Sequence, residues 1–161
     1  MCNPPARQRR GHAGILLVSM GLVAAIGIAP ARAQQEPAGA VDTRERILLP
    51  APARNMVLAE MRQMLISMEG VLAGLAREDE AAAADAARAS GTAAAVDVAP
   101  EVAALLPEAF IQLGMATHQG YDDLADKLDT GVPQQEALAA FADLTQNCVA
   151  CHATYRIDEA P

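Results

Sequence analysis

The 161-residue sequence predicts an all-α protein, an antiparallel four-helix bundle, and three features carry that expectation. Apolar residues recur every three or four positions over long stretches, prolines and glycines punctuate those stretches, and no run alternates apolar with polar residues as a half-buried strand would. Several connections are short, which favours antiparallel neighbours.

Residues 1–33 carry Arg7, Arg9 and Arg10, then an apolar run from Ile15 to Ile28, then Ala31-Arg32-Ala33. A basic start, a short apolar segment and a small-x-small ending describe a secretory signal peptide cleaved after Ala33. The apolar run falls short of the roughly 20 residues that a membrane span needs, so stable membrane insertion is not expected. Cys2 precedes the apolar run and would leave with the signal. Residues 34–50 read as a flexible leader that contributes no core, polar from Gln34 to Arg46 with Pro37 and Gly39 inside it.

The helical domain is expected over 51–157, with a tail at 158–161. Its first helix runs from about Ala53 to Arg77, where Leu58, Met61, Leu65, Met68, Leu72 and Leu75 make a bundle-facing stripe. The second runs from near Asp79 to Ser90; its alanines give high propensity and little bulk, which suits close packing, and Gly91 can end it in a left-handed cap. Residues 92–106 read as a loop with a short turn around Glu101 to Leu106. Pro107-Glu108 opens a third helix whose inward positions are Ile111, Gly114, His118, Tyr121, Ala125 and Leu128. After a turn at Gly131 and Pro133, a fourth helix sets Leu138, Phe141, Thr145, Cys148, His152 and Tyr155 along one face.

That last helix contains Cys148-Val149-Ala150-Cys151-His152, two thiols three apart followed at once by an imidazole. This is the spacing of a haem-attachment site, in which both sulfurs reach the vinyl groups of one haem and the histidine ligates the iron. Other readings fit less well. A thioredoxin-like pair expects a preceding strand, which is missing here. A structural zinc needs four ligands, and only the distant His118 could complete the set. A disulfide between residues three apart on one helix would constrain little.

Cleavage after Ala33 leaves 128 residues, one domain's worth, with Cys148 and Cys151 as the only cysteines. It removes four of the 12 Lys and Arg and none of the 20 Asp and Glu, so 8 basic residues face 20 acidic ones and the net charge is −12. Such a surface argues against nucleic acid or anionic lipid as partner and favours steering toward basic protein surfaces. The mature chain has Phe110, Phe141, Tyr121 and Tyr155 as its only aromatic residues and no Trp. A buried porphyrin would supply the bulk that the interior lacks.

The stretch from Cys148 to Arg156, close to the C-terminus of an exported helical chain, resembles the cytochrome c prime family. In layout the resemblance covers the mature chain; in specific residues it rests on this segment. It implies one covalently held haem c, anchored by Cys148 and Cys151 and ligated by His152, with Arg156 beside the proximal face. It also implies either electron transfer between redox partner proteins or binding of nitric oxide or carbon monoxide, and it is compatible with a homodimer. The distal residue decides between the two, and in the family it typically lies four positions after an arginine of the first helix. Here Arg54 and Arg62 would point to Leu58 and Ile66, and neither is a methionine.

Antiparallel first and last helices give an independent estimate of the distal residue. With His152 about five residues before the end of its helix, the facing level on the first helix is roughly residues 58–64 at about 1.5 Å per residue. Met61 lies on the stripe and is preferred, Met64 is second, and core filling is the ordinary use of such methionines. His118 reads as a packed histidine bonded to a backbone carbonyl or to a haem propionate. The sequence thus points to a periplasmic one-electron carrier without enzymatic turnover. Two readings stand beside it: a five-coordinate gas-binding haem module with Leu58 or Leu65 over the open face, and a haem-free, zinc-stabilised interaction bundle.

Overall fold

The computed structural model describes residues 41–95 and 99–161, in the order β1 (Glu45–Leu49), α1 (Ala51–Ala76), α2 (Glu80–Arg88), a 3-10 turn (Thr92–Ala94), α3 (Pro100–Ala103), α4 (Glu108–Asp129), α5 (Gln134–Thr154) and β2 (Tyr155–Glu159). The fold is mostly helical, as expected. Pro50, Pro107 and Pro133 are the N-cap residues of the three long helices, where the missing N–H costs nothing because no intrahelical acceptor exists for it. The signal peptide and the first part of the leader lie outside the described residues. No helix among the described residues is long and apolar enough to cross a membrane.

α1 packs on α2, α2 on α4, and α4 on α5. Each pair runs antiparallel. A Cβ on Gly70 would lie 2.7 Å from that of Ala86, and one on Gly74 would lie 2.6 Å from the Ala83 nitrogen. The alanine-rich α2 is therefore a closely packed helix, as its composition implies, and it meets glycines on α1. Farther along, Arg88 bonds Asp126 and Asp129 while Thr92 bonds Asp122, and on the other side Lys127 pairs with Glu136 while Leu144 covers Gly120. Gly91 differs from expectation. Its φ of −68° is not left-handed; the site excludes a side chain because a Cβ there would collide with the Asp122 carboxylate.

Four further expectations are corrected. Residues 45–49 of the supposedly coreless leader form a strand, paired in parallel with Tyr155–Glu159, and Ile47 and Leu49 are fully buried. Asp158 and Glu159 belong to that pair and not to a free tail. The last helix ends at Thr154, two residues after His152, and Tyr155 is the first strand residue. Finally, only the end of the α1 stripe faces the helical core, through Leu75 and the partly buried Met68. Its buried positions are Ala53, Val57, Ser67, Val71, Gly74 and Leu75, whereas Leu65 is 63% exposed and Leu72 47%.

Burial falls into two separate hydrophobic clusters. One joins Val71 and Leu75 of α1 to the α2 alanines, Tyr121, Leu124 and Leu128 of α4, and Phe141 and Leu144 of α5. The other gathers Ile47, Leu49, Ala53, Val57, Phe110 and Tyr155 around the strand pair, with Phe110 and Tyr155 edge to face at 5.6 Å. Such an aromatic pair adds to what area burial alone contributes.

Candidate functional site

Between the two clusters lies a cavity of about 630 Å³, within the roughly 300–1,000 Å³ range of ligand sites. The misread α1 stripe finds its place here. Leu58, Met61, Leu65 and Met68, together with Met64, form one wall, while Cys148, Cys151 and His152 of α5 also line the cavity. Phe110, Ile111, Leu113 and Met115 come from α4, and Gly114 among them has open space where its Cβ would be. Sequence reasoning missed most of this third wall. Its signal was the apolar cluster around Gly114 at the start of the helix, where residues on several faces are large.

At one end of α1 the Leu75 carbonyl accepts from Gln134 Nε2 of α5 at 2.7 Å, and at the other Arg54 Nε donates to the Ile157 carbonyl of the strand pair at 3.4 Å. Between these ends some large side chains are left uncovered. Leu65 at 63% and Val149 at 68% exposure both line the same cavity, an apolar concavity of the kind that marks a binding site.

The sequence-predicted residues come together around this space. Cys148 and Cys151 are half-buried free thiols, and burial pushes both of them above the usual thiol range by disfavouring the thiolate. His152 is exposed at the cavity edge, and its main-chain oxygen accepts a bond from Arg44. Met61 packs in the same cluster as Cys151, while Met64 and Met68 pack in the other. Leu58 and Leu65 line the cavity as well. Arg156 does not. Its guanidinium lies 3.7 Å from Asp42 and 3.7 Å from Asp158, in the strand-pair network, with a buried Nε that has no hydrogen-bond partner. Asp42 is held well below the usual carboxylate range, chiefly by the side-chain hydrogen bond from Arg44.

His118 is 4% exposed and lines the cavity with both ring nitrogens engaged. Nδ1–H donates to the Ser90 carbonyl at 2.9 Å, and Nε2 lies 3.1 Å from Glu60 Oε1. Among the described residues no three His, Cys, Asp or Glu side chains converge to hold a metal ion, so His118, His152 and the two cysteines do not make a four-ligand zinc set.

A haem fits the residues present on three counts: an apolar cavity of sufficient size, paired sulfurs with an adjacent imidazole on one wall, and thioethers on another. Compared with known proteins, the chain matches no family model, no curated protein and no solved structure.

Proposed function

We propose that this chain is an exported c-type cytochrome, a four-helix bundle that carries single electrons between protein partners in the periplasm and has no enzymatic turnover of its own. Cys148 and Cys151 would anchor one haem c, His152 would ligate the iron, and Met61, or else Met64, would be the opposite ligand. The observation that carries the reading is the cavity that parts the hydrophobic core in two, lined by the Cys-x-x-Cys-His segment and by the α1 methionines.

When bound, the haem supplies a reversible one-electron couple whose potential depends on the axial ligands and on burial. The chain's own groups do the rest. The two thiols, kept protonated by burial, offer S–H groups for thioether formation. His152 presents its ring at the cavity edge, and Arg44 holds the carbonyl of the same residue. The apolar side chains of α1 and α4 would exclude water, and the Met61 or Met64 thioether, as a ligand, would favour the reduced state and keep other ligands out. The acidic surface steers toward basic partner surfaces.

A second reading keeps the same anchors but leaves the iron five-coordinate for nitric oxide or carbon monoxide. It is favoured by Leu58 and Leu65, which line the cavity beside the methionines. Purified periplasmic protein tests both. Acid–acetone treatment leaves the chromophore on the protein, and the ferrous spectrum is low-spin for the carrier and high-spin for the gas-binding module. Extraction of all haem into the organic layer, or undiminished attachment in Cys148→Ala and Cys151→Ala, overturns the covalent reading.

A further inference from the structure

Four of the most deeply buried polar side chains in the described fold, Ser67, Ser90, His118 and Tyr121, lie where α1 meets α4 and the residues after α2. Buried polar groups carry a desolvation cost, so a cluster of them at one place calls for a structural reason. Two rungs run from α4 to α1: His118 Nε2 meets Glu60 Oε1 at 3.1 Å, and the Tyr121 hydroxyl donates to the Met64 carbonyl at 2.8 Å. The residues gripped on α1 are four apart and those gripping on α4 are three apart, so the rungs are spaced by one turn on both helices. His118 also donates to the Ser90 carbonyl, and the Ser90 hydroxyl bonds that of Ser67 at 2.8 Å, which closes the network back onto α1.

This stretch of α1 holds Met61, Met64 and Leu65, which line the same cavity as Cys148 and Cys151 of α5. Behind it lies a second space of about 220 Å³, which shares Glu60, Met64 and His118 with the main cavity. The α1 wall therefore has space on both sides at Met64, and the two hydrogen bonds bracket that stretch of the helix.

We propose that His118 and Tyr121 are positioning residues: by gripping α1 at Glu60 and Met64 they set the reach of the Met61 or Met64 thioether into the cavity, and so decide whether a sixth ligand meets the iron. The proposal rests on the six-coordinate reading above. Loosening either rung increases the fraction of molecules whose distal thioether is withdrawn, and the apparent carbon monoxide affinity rises in proportion to that fraction.

The test uses purified haem-loaded protein in five forms: unmutated, Tyr121→Phe, His118→Ala, His118→Gln, and Leu128→Ala as a buried control outside the cavity wall. Tyr121→Phe keeps the ring and removes only the hydroxyl, so it is the variant least disturbed in folding. Ferrous spin state, carbon monoxide binding and thermal unfolding are recorded for each. Tyr121→Phe and His118→Ala gain high-spin character and bind carbon monoxide about tenfold more tightly, as a tenfold larger open fraction requires. His118→Gln, whose amide can still donate, returns part of the way, and Leu128→Ala loses stability without a spectral change. A low-spin unmutated protein whose two rung variants keep its spectrum and carbon monoxide affinity overturns the positioning role alone, as does a control that shifts them equally. A high-spin unmutated protein overturns the six-coordinate reading, and the positioning role with it.

Discussion

The guanidinium of Arg44 donates to the main-chain oxygen of His152 at 3.3 Å, so a residue that precedes the first strand holds the last turn of α5 at its most chemically loaded position. Helix-terminal carbonyls lack intrahelical partners, and a cationic donor is a favourable one for them. The same arginine fixes Asp42, which lies beside Arg156, and directly downstream Ile47 is paired with Ile157.

The apolar part of this clasp should dominate its energetics. Leu49 is fully buried, so Leu49→Ala is expected to cost about 2–5 kcal/mol in chemical denaturation. Arg44 is partly exposed, so water screens its ion pair with Asp42 and its bond to the His152 carbonyl, and Arg44→Ala should cost clearly less than Leu49→Ala. Equal losses in the two variants would show that the polar contacts matter more than the strand core.

Gly74 should tolerate no side chain. Its added Cβ would sit 2.6 Å from the Ala83 nitrogen and 2.8 Å from the Ala83 Cβ, and backbone yields less readily than a flexible side chain. Gly74→Ala is expected to lose about 1–3 kcal/mol by overpacking even though alanine is the better helix former. An unchanged or raised denaturation midpoint would contradict the close α1–α2 contact.

Glu78 connects α1 to α2 with φ of +57°, in the left-handed region. For a residue with a Cβ this conformation costs about 1–2 kcal/mol, and the side chain is exposed. Glu78→Gly should therefore stabilise the protein by up to about 1 kcal/mol, unlike most glycine substitutions. A fall in melting temperature would count against it.

Protein made without haem allows a pH test of the two thiols. Burial raises both, so the native state retains protons that the unfolded chain releases above about pH 8.5. Stability should fall as pH rises from that value through the raised native one, and Cys148→Ser with Cys151→Ser should flatten the decline. Alkylation by iodoacetamide should show a midpoint above that of a free thiol; a midpoint at or below it would mean that the thiols are not shielded.

Much of the helical framework was legible because its signals are local. The prolines at 50, 107 and 133 and the turn at Gly131 lie where helices start and stop, and Gly131 takes the left-handed φ of +71°. The strands were not, since Glu45–Leu49 is short, contains the adjacent apolar residues Ile47, Leu48 and Leu49, and finds its partner at the far end of the chain. The α1 stripe misled for a different reason. The face of α1 that meets α2 is built partly from Ser67, Gly70 and Gly74, which carry no hydrophobic signal, so periodicity singled out the larger residues that line the cavity. Cys148, Cys151 and His152 were readable as a motif, whereas the wall supplied by α4 became apparent only once the helices were placed.

The strand pair joins the earliest described element of the chain to the latest, and with the Arg44 and Arg54 bonds beside it these contacts span more than 100 residues. Closing so long a loop is entropically costly and cannot precede the residues that complete it. In a chain that emerges from a channel with its N-terminus first, β1 waits for residues 155–159, and by then residues 148–152 have already passed. The clasp beside the Cys-x-x-Cys-His segment can thus shut only after that whole segment has been made.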